Sequence, residues 1–178
     1  ELDIPHPTTL YGVSKLAGEH ILRCMNSLYG LSWNATRLFF IYGPRQFAEG
    51  GYKSVINTNF ERIRAGIEPR INGTGNQMLD YVYIDDCIDG LLCLSESPLD
   101  QKVVNISSSV GISISNLTNM MLDISRSGLR PVNVEADWTE GTQRVGRNTE
   151  IASLFGWNPR TPIEDGLSAT FAALEDGA

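Results

Sequence analysis

Histidine is nearly absent from this chain of 178 residues: His6 and His20 are the only two, too few for a histidine-centred catalytic triad or a His-rich metal site. Cysteine is sparse and odd in number. Cys24, Cys87 and Cys93 show no C-x-x-C spacing, which points away from a disulfide framework and from structural zinc. Positive charge is scarce as well, with 14 Lys+Arg against 21 Asp+Glu and a formal net charge of −7. That balance is the opposite of a nucleic-acid-binding footprint, so no nucleic-acid partner is expected. No run approaches the roughly 18 apolar residues of a membrane helix, and no basic start followed by an apolar stretch marks a signal peptide. The chain therefore reads as soluble and cytoplasmic, with no membrane partner. Position 1 is Glu, not Met, and a patterned helix begins almost at once, so the expectation is a fragment of a longer chain.

What is present is ordinary for a folded domain: 42% apolar and 20% charged residues, with 17 Gly and 8 Pro as punctuation. After two prolines, Thr8 or Thr9 is placed to cap a helix whose apolar residues Val13, Leu16, Ile21, Cys24 and Leu28 recur at three- and four-residue steps until Gly30. WNATRLFFIYG then reads as one buried strand over 33–43. A helix follows over 52–65, a short strand over 69–72, a GTGN turn, and a strand in DYVYI. Asp85 or Asp86 opens the next helix, where early carboxylates suit the positive end of the helix dipole. VVNIS, a helix capped by Ser113 or Ser115, RPVNVE and two closing helices complete the pass. Strands and helices alternate throughout, which predicts an α/β architecture with parallel strands.

The most informative element is Tyr11-Gly12-Val13-Ser14-Lys15. On a helix, positions four apart share a face, so the phenol and the ammonium point into the same space. A positive charge beside a phenol favours its phenolate form, which makes Tyr11 a candidate general acid or base. Alone, the pattern also fits a surface helix, and its neighbours in sequence must decide.

Four ordered segments do so. PTTLYGVSKLAGE resembles the catalytic helix of the extended short-chain dehydrogenase/reductases, in particular the nucleotide-sugar epimerase/dehydratase branch that includes UDP-glucose 4-epimerase. RLFFIYGPRQ is similar to the strand and turn after that helix, INGTGNQMLDYVYIDDCIDGLL to the G-x-G-x-Q-x-R-D-Y-V-Y-V-D-D stretch, and LFGWNPRTPIEDGL to the closing L-G-W motif. The resemblance implies a partial Rossmann fold, a doubly wound parallel sheet, with a smaller mixed α/β substrate-binding lobe. It assigns residues 1–46 to the end of the NAD-binding domain and 47–178 mainly to the substrate lobe, with about 80–108 returning to the Rossmann sheet. Under it, Tyr11 is the acid/base, Lys15 holds the nicotinamide ribose, and Phe39 lies beside the nicotinamide of an NAD cofactor. The substrate is a nucleotide sugar, and the protein is a homodimer. Asp80, Tyr81, Asp85 and Asp86 are expected to cap and pack.

Three departures bear on the substrate. Phe40 stands where UDP-sugar epimerases carry Asn, Leu79 replaces an Arg that clamps the substrate pyrophosphate, and a second such Arg falls near Trp138 by spacing. Arg is favoured for such clamps because its fork matches phosphate oxygens. Arg45, Arg70, Arg144 and Arg147 are the available substitutes, Arg144 preferred, with Phe40, Arg45 and Arg144 taken as substrate-binding. The glycine triple G-x-x-G-x-x-G that cradles a dinucleotide pyrophosphate does not occur in this sequence. The expectation is thus an NAD-dependent epimerase working through a transient keto-sugar, with this chain inactive alone. The alternatives are a 4,6-dehydratase or reductase of the same family, or a non-catalytic split half that binds a partner. Gly18, inside the first helix, implies close approach of another backbone or of the cofactor.

Overall fold

Two prolines and two threonines precede the first element, and the computed structural model, which describes residues 4–46 and 54–176, shows how they start it. The Thr9 side chain accepts a hydrogen bond from the Gly12 N–H at 3.1 Å and caps helix α1 (Leu10–Tyr29). Gly30 closes the helix in the left-handed conformation, φ 68°, with its N–H on the Asn26 carbonyl. Both ends fall where the spacing places them. Even so, α1 contributes no buried side chain, and Leu10, Ile21, Leu28 and Tyr29 on it are exposed. Its most specific tie to the rest of the molecule is an ion pair, in which Arg37 donates twice to Glu19 at 2.8 Å. Gly18 meets no heavy atom of the described residues within 4 Å of a Cβ position, so the close approach expected there is not found.

The single strand expected over 33–43 is divided. Strand β1 (Asn34–Leu38) pairs parallel with β5 (Lys102–Ile106), whereas β2 (Phe40–Tyr42) pairs parallel with β4 (Met78–Tyr83). The break falls at Phe39, whose N–H still reaches the Ile106 carbonyl at 3.1 Å. Composition alone could not reveal it, because each half finds a different parallel neighbour far away in sequence.

Helix α2 (Val55–Arg64) is capped by Ser54, whose hydroxyl accepts from the Asn57 N–H at 3.2 Å; the expected start of this helix at 52–53 lies outside the described residues. β3 (Arg70–Asn72) pairs parallel with β7 (Val132–Val134), and Gly73 and Gly75, both at positive φ, turn the chain into β4. Helices α3 (Ile84–Ser95), α4 (Ile114–Ile124), α5 (Thr149–Phe155) and α6 (Ile163–Glu175) follow the predicted segments closely, with Ser113 capping α4. Two short strands were not predicted, β6 (Gly111–Ser113) and β8 (Gln143–Arg144). Both lie on the first half of β4, with Leu79 opposite Ile112 and Arg144. The β4–β6 pair is antiparallel, whereas the other strand pairs among the described residues are parallel.

The reversal into β6 is held by Asp80. Its carboxylate, with no exposed surface, accepts from the Ser108 N–H and hydroxyl at 2.7 Å on one oxygen, and from the Ser109 and Gly146 N–H groups at 3.0 and 3.1 Å on the other. Four donors offset the desolvation of a buried charge. Asp86 works similarly, accepting from the Arg160 and Thr161 N–H groups, while its carbonyl accepts from the Trp157 indole. Apolar packing divides into two clusters. Ile56, Phe60, Leu117, Met121 and Leu167 are fully buried between β4 and helices α2, α4 and α6, and Val82, Val104, Ile106, Ile151 and Trp157 fill the space around α3, β5 and α5. No helix of the described residues is long and apolar enough to cross a membrane.

Candidate active site

The cap at Thr9 fixes the geometry of the next two residues. Gly12 presses its Cα face on Pro7, where a Cβ would come within 2.9 Å of the proline Cβ, so the incoming chain and the first turn of α1 are locked together. Tyr11 consequently leaves the first turn with 72% of its surface exposed. One turn on, Lys15 Nζ stands 5.1 Å from the centre of the Tyr11 ring. Ammonium and phenol therefore occupy one patch, as the four-residue spacing requires. Glu19, a further turn along the same stripe, is the residue tied to Arg37.

Tyr11 stands at the mouth of an open cleft of about 650 Å³. Phe39 and Phe40 line it as well, together with Leu79 and Tyr81 of β4 and with Gln77, Asp137 and Thr139. The cleft thus gathers Tyr11, Phe39 and Phe40 with three more residues singled out from sequence, Arg70, Leu79 and Tyr81. The break at Phe39 has a role here, since it turns Phe39 and Phe40 into one wall while each flanking strand pairs elsewhere. Gly146 backs that wall, for a Cβ there would lie 2.5 Å from the Phe39 ring.

The arginines fall out differently. Arg45, exposed and at φ 61°, and Arg144 do not line the cleft. Arg144 sits opposite Leu79 in the β8–β4 pairing, but its guanidinium lies over the Trp138 ring at 4.5 Å. Cation–π stacking on an exposed indole engages it there, and Leu79 lines the cleft in its stead. Arg70 alone of the named substitutes lines the cleft.

A second tyrosine in the wall, Tyr42, is unsuited to proton transfer. Burial pushes its phenol above the ordinary range, and the neighbouring Tyr83, Asp86, Glu164 and Asp165 add to the effect. Asp137 shows the reverse balance: burial opposes its ionisation, but hydrogen bonds from the Thr139 hydroxyl, Asn72 Nδ2 and the Thr139 N–H prevail and hold it below the usual carboxylate range. Gln77 and Asp137 were not singled out from sequence. Gln77 lies inside the NGTGNQ motif and was legible as part of a turn, whereas Asp137 belongs to a segment with no periodicity to read.

The family model for the NAD-dependent epimerase/dehydratase family matches residues 1–107, which holds α1, the divided strand and β4. The chain belongs to that family. An uncharacterized UDP-glucose epimerase of Bacillus subtilis is 28% identical over 179 residues, covering 94% of this chain and 52% of the relative. The UDP-glucose 4-epimerase of Thermotoga maritima, solved with UDP-glucose, superposes with a TM-score of 0.92 at 30% identity, over 98% of this chain and 56% of that one. The UDP-glucuronic acid 4-epimerase of Bacillus cereus, solved with UDP-glucuronic acid and NAD, gives 0.88 at 26% identity, over 98% and 55%. The chain spans about half the length of the curated relatives it matches. As a family member it has the α/β architecture that the order of motifs implied.

The residues present fit one end of the family's cofactor. Lys15 offers an exposed ammonium with three donors beside the Tyr11 phenol, suited to the paired hydroxyls of a ribose, and Phe39 offers a flat apolar surface at the cleft. The glycine triple that would cradle the pyrophosphate has no counterpart in this sequence.

Proposed function

We infer that this chain supplies the proton-transfer and substrate-binding part of an NAD-dependent nucleotide-sugar epimerase, similar to UDP-glucose 4-epimerase. The observation that carries the reading is the exposed Tyr11 phenol at the mouth of the cleft with the Lys15 ammonium 5.1 Å from its ring. When bound, NAD supplies the acceptor, and later the donor, of the sugar hydride. Tyr11, as phenolate, takes the proton of the reacting hydroxyl as the carbon is oxidised to a keto-sugar, and returns it when the opposite configuration is made. Lys15, on the same helical face, holds the nicotinamide ribose. Phe39 walls the reacting end, and Phe40 contacts the sugar.

The same reading makes the chain inactive alone, because no glycine triple is present to hold the cofactor's pyrophosphate. It also makes the working protein a homodimer, supported by the exposed apolar residues of α1. The test is Tyr11→Phe in the full-length protein, assayed for NAD retention and for UDP-glucose/UDP-galactose interconversion. Cofactor retained with turnover lowered at least 100-fold is expected, in line with loss of a general acid/base. Turnover at the wild-type rate refutes the assignment.

A further inference from the structure

Gly146 is buried, and its φ lies outside the left-handed region, so its backbone conformation does not by itself call for glycine. Space does. A Cβ built there would lie 2.5 and 2.7 Å from Cζ and Cε2 of the Phe39 ring and 2.6 Å from the Ser107 Cβ. The far edge of the ring therefore rests on bare backbone, while Phe39 as a whole is half-buried and lines the cleft. The backbone under it is held on both sides. The Gly146 N–H donates to Asp80 Oδ2 at 3.1 Å, and the carbonyl of the next residue, Arg147, accepts from Asn105 Nδ2 at 2.9 Å. The same Asp80 carboxylate takes the N–H groups of Ser108 and Ser109, and Ser107 beside them is fully buried. One carboxylate thus ties the segment after β8 to the turn after β5, and these two segments form the seat of the ring.

We propose that Gly146 is a positioning residue, whose bare backbone, fixed by the Asp80 carboxylate, sets how far the Phe39 ring stands into the cleft. With a methyl group at 146, the ring edge has to move by about 1 Å to regain ordinary carbon–carbon contact. Ser107 closes the space behind it, and the cleft is the open side, so the displaced ring takes room from a ligand bound there. The proposal rests on the reading of Phe39 as a wall of the nicotinamide end, and adds the residue that sets where this wall stands.

The experiment compares the full-length wild type with Gly146→Ala, Phe39→Leu and the double variant, measuring the dissociation constant for NAD and the kinetics of UDP-glucose/UDP-galactose interconversion. Gly146→Ala is expected to weaken NAD by about tenfold and to lower kcat by up to about 100-fold, as a misplacement of about 1 Å suffices to do. Leucine lacks the Cε and Cζ atoms that the new methyl group would strike. In the Phe39→Leu background the same substitution is therefore expected to change NAD affinity by less than about twofold. A glycine needed only for packing would instead lower the melting temperature in both backgrounds and leave the NAD affinity of the folded protein as it was. Thermal melts follow folding. Should Gly146→Ala fail to fold, both backgrounds are rebuilt with Ser107→Gly, which leaves the ring as the remaining close contact. An unchanged NAD affinity in Gly146→Ala, or equal losses in both backgrounds, overturns the proposal. Tyr11→Phe separates the two readings: if turnover survives in it while NAD affinity still couples positions 39 and 146, the proton-transfer assignment falls and the positioning assignment stands. Turnover lost in Tyr11→Phe with no such coupling removes the positioning assignment alone.

Discussion

Replacing Glu19 by Gln tests how α1 is held. The helix has no buried side chain, so the Glu19–Arg37 pair carries an unusual share of what fixes its rotation about its own axis. The two side chains are 15% and 31% exposed, between a surface ion pair and a buried one. Exposed pairs contribute roughly 0–1 kcal/mol, and hydrogen bonds to charged groups roughly 1.5–3 kcal/mol, so about 1–2 kcal/mol is expected for this bidentate geometry. Glu19→Gln should lower the unfolding free energy by that amount at pH 7 in urea melts. It should also speed amide hydrogen exchange along α1 more than in α4 or α6.

The dependence on pH follows from the same contact. The Arg37 hydrogen bond, opposed by burial and helped by the charges of Arg37, Arg23 and His20, holds the Glu19 carboxyl below its ordinary value of 4.5. A lowered folded-state pKa means that the contribution is complete above the unfolded value and fades as pH falls through the folded one. The gap between wild type and Glu19→Gln should therefore be full at neutral pH and close as the solution is taken below pH 4.5. A gap of the same size in strong acid, or no acceleration of exchange in α1, would refute the account of how the helix is anchored.

Three other substitutions probe the frame of the site. Asp80→Asn places an amide among four donors, leaving N–H groups of Ser109 or Gly146 facing another N–H, and should cost about 2–4 kcal/mol in urea melts. Gly18→Ala meets open space on the exposed helix and should stabilise α1 by up to about 1 kcal/mol, read as increased helicity and slower exchange. Gly43→Ala would put a Cβ 2.4 Å from Ile84 Cγ2 at the end of β2, and should destabilise the protein by about 1–3 kcal/mol in a thermal melt.

Much of the fold was legible because its signals are local. Thr9 and Ser113 are each a hydroxyl placed before an apolar stripe, and each caps the helix it announces, whereas Ser54, which caps α2, fell inside the helix expected over 52–65. The Tyr11–Lys15 pairing was legible for the same reason, since four residues on a helix fix a shared face whatever surrounds it. What escaped depends on partners distant in sequence. Nothing in RLFFIYG says that its first half will pair with residues 102–106 and its second with 81–83. β6 and β8, three and two residues long, are too short to show alternation and exist because β4 offers free edges. Arg144 was named from its motif alone; the structure sets it opposite Leu79, and its guanidinium lies over the Trp138 ring. Asp137 gained its place through Asn72, 65 residues away, a separation no spacing rule covers.

The division of the post-helix strand at Phe39 makes the two ends of the cleft separately adjustable. Tyr11 and Lys15 depend on α1, which is pinned to β1 through Arg37, whereas Gln77, Leu79 and Asp137 depend on β4 and on the 137–139 turn. Mutational drift at one end leaves the supports of the other intact. The two groups of cleft residues thus rest on different parts of the fold. A substitution at 77, 79 or 137 leaves the contacts that hold α1 untouched.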